Sequence, residues 1–520
     1  MAPDESNHEA FTALHIVRIS HVCHVWREIS LAYPPFWSNI AFKTPYLATT
    51  MLERSKPMHI SIRANLTPGD GQFDDASYRI RCMFKAVSRA LRSSDRAKEI
   101  NLRSGPSKHL TKAFHDIRPT SSELEYLALR GYGDNLRSTV FDVPSTIFSQ
   151  CIFPLKTLVL ERCKVIPADI TPHCTHLTHL ELRSVAVFNS RDILNIFQLA
   201  SSSLQSIILD SIPLSGGVFF EGIPQIFFPH LSVLNLNATN GDSHIHNVFF
   251  LLRSIAIPLT ASLILQFLIP GSTWQMPAPI IPTLGRHFSG GDPIRSLIVF
   301  QTNDHKRRGL RLQGWTRATL PRFFYAEDAP SPTVDVHFIC EEDENNNSLE
   351  RILSELTSMG PLHAVQSLTI ARVSVLSAIG MDVLLRMLPS LRELCIHGSA
   401  SLRALCGMEP GGDPVARLPP LPPLVRLCEL QTLTVYEATF RNGETQGIDL
   451  HALRNCLDEL SAKGHGANEL IVCYSDASRQ DMEELASRVR TFLWDGSLNG
   501  TMAVPVPPHP DPAPSSSHVL

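Results

Sequence analysis

Four side chains that bind transition metals stand within seven residues in "HCTHLTH": His173, Cys174, His176 and His179. Imidazole and thiolate donors at this density suggest zinc. Leu177 and Leu180 interrupt the run, and alternation along an extended chain sends the histidines in different directions. The spacing therefore argues against a shared ion. No Walker loop, GxSxG or HExxH occurs, and the two "SGG" triplets, Ser215–Gly217 and Ser289–Gly291, read as ordinary turns. These residues predict a chain that is not itself an enzyme and that needs no cofactor.

Composition narrows the classes further. The chain has 520 residues, 43% hydrophobic and 18% charged, which is globular and allows a sizeable core. A formal net charge of −4 gives no electrostatic case for nucleic acid or an anionic membrane. Eleven scattered cysteines, with no CxxC pair, predict reduced thiols and a cytoplasmic or nuclear setting. The polar start "MAPDESNHEAF" has no signal-peptide pattern. The apolar stretch from Val248 to Pro270 approaches the length of a membrane span. Arg253, Pro258 and Gln266 interrupt it, and it ends in a strand-like run, so no membrane partner is expected.

The elements that must position any functional residue come from a repeat. "LEYLAL" at Leu124, "LKTLVL" at Leu155, "LTHLEL" at Leu177, "LQSIIL" at Leu204 and "LSVLNL" at Leu231 share the template LxxLxL. It returns as "VQSLTI" at Val365, "LRELCI" at Leu391 and "LQTLTV" at Leu430, with weaker copies at Ile294 and Asn468. The last two apolar residues alternate with polar ones, so both point inward from a short strand. Helical patterns lie between: Leu349 to Leu356, Met381 to Leu388, Leu450 to Leu460 stopped by Gly464, and Met482, Leu485, Val489 and Leu493 after Ser478. Repetition of strand, loop and helix at this period resembles leucine-rich-repeat proteins and implies an irregular α/β solenoid. The usual asparagine three places after the last leucine is mostly missing; Cys163 fills that place once.

Ahead of the repeats, Ile16, Ile19, Cys23, Trp26 and Ile29, widened by Val22 and Val25, fall on one helical stripe. Pro34 and Pro35 end it, and Phe36 and Trp37 follow as large apolar anchors. Val22, Cys23, Trp26, Arg27, Ile29, Pro34, Trp37 and Ile40 resemble the second half of an F-box, most like the form common in mushroom-type fungi. Pro35 and Phe36 depart mildly from that pattern. The family's opening Leu-Pro-x-Glu helix has no counterpart in "HEAFTALHIV", so the box is either truncated or degenerate. The resemblance implies an all-α module in which these eight residues form the box core and grip a Skp-type adaptor of a cullin ubiquitin ligase. It also makes Cys23 a core position, which leaves "HVCH" (His21 to His24) little prospect as a metal site. A surface of this kind can also pack on Tyr46, Leu47, Met51 and Leu52 of the same chain.

The organisation expected is a partial F-box-like helical module at 1–45 and a linker or helical segment at 46–95. A repeat array follows at 96–475, interrupted at 270–292, 341–347 and 407–423. A C-terminal helix at 476–500 and a Pro-rich tail at 501–520 complete the chain. In the third interruption Arg417, Pro420 and Pro423 match the spacing of an SH3-domain ligand, although a plain inter-repeat loop accounts for them as well.

Outward positions of the repeats supply the candidate target-binding residues. Those following the last leucine read Arg130, Glu161, Arg183 and Asp210, and Tyr126, His179 and Glu181 adjoin them. In-register neighbours lie about 4.8 Å apart, so the alternating signs form either a stabilising ladder or a charged floor that reads a protein target. Two functions follow. One is a substrate-recognition subunit of a Skp–cullin–F-box ligase; the other is a non-catalytic repeat scaffold with a degenerate box.

Overall fold

The computed structural model describes residues 18–19, 21–40, 42, 44–66, 73–104, 111, 113–114, 117, 122–131, 140–148, 154–185, 188–212, 225–238, 248, 250–269, 280–289, 292–304, 307–317, 331–341, 352, 355–356, 362–371, 373, 377–408, 423–427, 429–440, 448–464 and 467–495. Ile16, the acidic stretch after Glu341, Arg417, Pro420 and the tail at 501–520 lie outside these. Two compact units divide the chain, Met1–Leu268 and Ile269–Leu520.

The first unit is built on nine parallel strands: β1 (Asn39–Ile40), β2 (Ile60–Leu66), β3 (Ala97–Ser104), β4 (Tyr126–Gly131), β5 (Thr157–Glu161), β6 (His179–Arg183), β7 (Ser206–Asp210), β8 (Val233–Ala238) and β9 (Ser262–Ile269). Each pairs with the next in chain order. The template dictates this. Leu124, Leu127 and Leu129 of one copy, and Leu155, Leu158 and Leu160 of the next, are all fully buried. Each such side chain removed from water contributes about 1.5–3 kcal/mol, and no copy can bury its own face alone.

The second unit holds β10 (Ser296–Asp304), β11 (Arg307–Trp315), β12 (Val334–Glu341), β13 (Ser367–Ala371), β14 (Glu393–His397), β15 (Thr432–Tyr436), β16 (Glu469–Cys473) and β17 (Thr491–Trp494). Strands β10 and β13 to β17 form a parallel ladder. β11 adds antiparallel to β10 and β12 antiparallel to β11, outside the repeat pattern.

Backbone hydrogen bonds tie successive repeats at both ends of each strand. At the start, the carbonyl of Lys156 accepts from the amides of Thr178 and His179, and that of Arg392 from Gln431 and Thr432. Just past the strand, Arg162, Ser184, Ser211, Glu437 and Tyr474 adopt left-handed φ of 52°, 49°, 53°, 54° and 51°, and Gly398 a φ of 86°. This costs roughly 1–2 kcal/mol for a non-glycine residue. It also turns each amide onto the following strand. Arg162 donates to the Arg183 carbonyl, Ser184 to Asp210, Ser211 to Asn237, Gly398 to Tyr436 and Glu437 to Cys473. Tyr474 donates instead to the Asp495 carboxylate, 2.7 Å away.

Among the described residues the helices longer than a single turn are α1 (His24–Ala32), α2 (Pro45–Arg54), α3 (Phe73–Leu91), α4 (Ser190–Ala200), α5 (Ile280–Ser289), α6 (Ala378–Arg386), α7 (Ser399–Leu405), α8 (Ile448–Ala462) and α9 (Arg479–Ala486). Asn189 and Asp192 cap α4 reciprocally, and Ile193, Leu194, Ile196, Phe197 and Ala200 are its buried face. Gly464, at φ 73°, follows the end of α8.

Four expectations need correction. The stripe from Ile16 to Ile29 is not one helix: a turn at His21–Val22 precedes α1, and Cys23 is its extended N-cap residue at φ −157°. Val22, Cys23, Trp26 and Ile29 are exposed rather than core; Trp37 and Ile40 are buried, at 2% and 3% exposure. Segment 46–95 is helical over Pro45–Arg54 and Phe73–Leu91 but is no linker, because β2 within it belongs to the ladder and its burial alternates from Ile60 to Leu66. Nor does one helix fill 476–500. α9 stops at Ala486, and the β-prone run Thr491–Trp494 pairs with β16 as an additional strand.

Candidate functional site

Register aligns the outward residues of the first unit into rows. Arg103, Arg130, Glu161, Arg183, Asp210, Asn237 and Gln266 are successive partners across β3 to β9. The row expected from sequence, Arg130 to Asp210, is thus in register. Glu181 lies one row in, and the charges converge on it. Arg183 Nε donates to its carboxylate at 2.6 Å, and His179 Nε2 lies 3.5 Å away. Burial works to raise its pKa, but the His179 hydrogen bond, the Arg183 cation and Arg130 outweigh that and hold the carboxyl at about 2. Arg183 reaches Asp210 at 3.9 Å, and Arg130 Nη1 donates to Asn101 Oδ1 at 3.1 Å. Arg63, unmarked in the sequence reading, grips Glu99 with two nitrogens at 2.6 and 2.7 Å. Tyr126 and His179 are half-buried at the β4 and β6 starts. On this face the principal charges are matched with one another, as in a stabilising ladder.

The second unit's outward face differs in kind. His397 stacks on Tyr436 at 4.7 Å and 14°, and Tyr436 on Tyr474 at 6.4 Å and 23°. The register explains it, since His397 and Tyr436 are direct partners and Tyr474 follows Cys473, the next position in the row. The sequence carried the signal: "LRELCIH" and "LQTLTVY" place both rings just after the last apolar residue.

At the N-terminal module, Val22, Val25, Trp26 and Ile29 form an open apolar surface at 68%, 62%, 51% and 50% exposure. Arg27 is exposed on the same helix. Trp37 is the true core: its Nε1 donates to the Ser30 carbonyl at 2.7 Å, and the Arg54 guanidinium covers its ring at 4.6 Å. Pro34 opens a single 3-10 turn that delivers Trp37 to this place.

The residues of "HCTHLTH" lie in different settings. His173 is buried with Nε2 3.2 Å from the Phe148 carbonyl, and Cys174 is buried beside it on a 3-10 turn. His176 is exposed, and His179 belongs to β6. Among the described residues no cluster of His, Cys, Asp and Glu could hold a metal ion. Among them, too, no helix is long and apolar enough to cross a membrane; the end of the Val248–Pro270 stretch forms β9.

Each unit is a leucine-rich-repeat-like ladder: short parallel strands on an LxxLxL template, closed by left-handed residues at one recurring position. No family model matches the chain, and no curated protein does. Among solved structures, a leucine-rich-repeat protein of Leptospira interrogans is similar at 13% identity and a TM-score of 0.26, over 77% of this chain and 91% of that one.

Proposed function

We propose that the chain is a substrate-recognition subunit of a Skp–cullin–F-box type ubiquitin ligase. In this reading α1 docks on a Skp-type adaptor, and the repeat ladders hold a protein target in the cytoplasm or nucleus. The chain catalyses nothing itself. One observation carries the reading: the apolar surface of α1, Trp26 included, is open to solvent within the stretch that resembles an F-box. A half-exposed tryptophan ringed by aliphatic side chains has the composition of a binding hot spot. The rival reading, a scaffold with a degenerate box, draws support from the matched charges of the first ladder.

Immobilised Skp-type adaptor separates the two. The ligase reading expects the purified chain to be retained, and Trp26→Ala and Ile29→Asp to abolish retention without changing thermal unfolding. Absence of retention for the unaltered chain favours the scaffold.

A further inference from the structure

We propose that the outward face of β13 to β17 docks an extended segment of a protein partner rich in arginine and lysine. The proposal rests on the reading that the repeats hold a protein target, and it names the chemistry of that target.

Three observations lead there. First, the outward positions of this ladder, with the residue just past β15, carry Glu393, Glu469 and Glu437 and neither a lysine nor an arginine. Among the described residues Glu393 and Glu437 form no ion pair, and both are exposed. Glu469 accepts only a hydroxyl hydrogen bond, from Thr432 at 3.2 Å.

Second, several of the unit's arginines are engaged elsewhere. Arg403 is paired with Asp449, Arg454 with Asp481 and Glu484, and Arg488 with Asp458. Arg311 of β11, which sits over the Phe300 ring, is held by both oxygens of Asp335 at 2.7 and 2.5 Å. Among the described residues the outward positions of this ladder are therefore negative, unlike the first unit's, whose charges are matched.

Third, the aromatic stack crosses this same face, with Tyr474 as its last ring and Leu493 beyond it, 49% exposed. A guanidinium is weakly hydrated, stacks on aromatic rings and forks onto carboxylates. Carboxylates beside tyrosines suit that group, and an extended peptide lying across parallel strands meets them in turn. The one-sign charge disfavours nucleic acid, whose phosphates it repels.

The test uses the full chain alone, with no adaptor present. The probe is a fluorescein-labelled peptide of alternating arginine and serine, compared with its citrulline counterpart. We expect the arginine peptide to bind and binding to fall as salt rises. Glu393→Lys and Glu437→Lys should each weaken it about three- to tenfold, and Tyr474→Leu by a similar factor. Thermal unfolding should stay unchanged in the glutamate variants, which are exposed. Equal binding of the citrulline peptide, no binding at millimolar concentration, unaltered affinity in both glutamate variants, or tighter binding of a single-stranded oligonucleotide would each overturn the proposal. Because the adaptor is absent, failure here leaves the ligase reading standing, and failure of adaptor retention leaves this one.

Discussion

Trp37 donates its indole N–H to the carbonyl of Ser30, 2.7 Å away, and so fastens the chain after the Pro-Pro turn onto the end of α1. Trp26, eleven positions earlier in the sequence, has no such place and is 51% exposed. The two tryptophans should separate under mutation. Trp37→Ala removes a buried ring and leaves a carbonyl unsatisfied, at a cost of about 3–5 kcal/mol. Trp26→Ala should change stability by about 0.5 kcal/mol or less, as expected for an exposed position. Urea denaturation of both variants measures this directly; a large loss for Trp26→Ala would place it back in the core.

Glu181 gives the first ladder an acid-sensitive element. Its carboxyl is held at about 2, below its ordinary 4.5, so its contribution is complete above pH 4.5 and disappears as pH falls through 2. After screening, that contribution is on the order of 2 kcal/mol. Glu181→Gln should remove it at pH 7 and flatten the stability profile between pH 4.5 and 2. A variant whose profile still falls as steeply would assign the acid sensitivity to another carboxyl.

His337 acts in a higher window. Burial, then the Arg311 cation, push its pKa from 6.5 to about 4 against the opposing pull of Asp335, and Nε2 lies 2.8 Å from the Thr302 hydroxyl. The unfolded chain takes up a proton first, so stability falls as pH drops from 6.5 to 4. His337→Gln should be less dependent on pH across that range, as followed by thermal unfolding at intervals of pH.

The Asp449 carboxylate is fully buried and bound by Arg403, Nε to Oδ1 2.5 Å. Removing the arginine strands a charge in the interior, so Arg403→Ala should cost about 3–5 kcal/mol. Replacing both partners, as Arg403→Met with Asp449→Leu, should recover most of that. A double-mutant cycle in guanidinium measures it, and an additive double variant would show the pair to be uncoupled.

Gly398 tests the left-handed position in isolation. A Cβ there meets nothing within 4 Å, yet φ is 86°. Gly398→Ala should therefore destabilise by about 1 kcal/mol through the backbone alone. Ser184→Gly, at φ 49°, should be neutral or mildly stabilising, because the strain it relieves offsets the entropy it adds. Equal losses in the two would point to lost side-chain contacts instead.

The strands were legible wherever a leading leucine preceded two alternating apolar residues. "LEYLAL" through "LSVLNL", and the three strong later copies, each gave a ladder strand and its register. That register placed Arg130, Glu161, Arg183 and Asp210 in one row. β11 and β12 carry period-two alternation in "RRGLRLQGW" and "VDVHFICE" but no repeat template, and antiparallel pairing leaves no spacing signal. Val489 and Leu493 continued a helical spacing that the chain abandons at Ala486, because sheet pairing overrides local periodicity. Trp26 is exposed for another reason: a stripe shows which residues share a face, not what covers it. Arg403 and Asp449 lie 46 positions apart, and nothing in the sequence pairs them.

Among the described residues, the amides of Arg162, Ser184, Ser211, Gly398 and Glu437, just past their strands, point one way, from a repeat to the strand after it. A repeat is thus finished by its successor, and the ladder has a grain. During synthesis the exit of each strand waits for roughly one more repeat to emerge before its amide is satisfied. Under a pulling force, loss of a terminal strand exposes the amide of the one before it, so unravelling from the C-terminal side proceeds stepwise. At Tyr474 the Asp495 carboxylate takes the amide in place of a following strand's carbonyl.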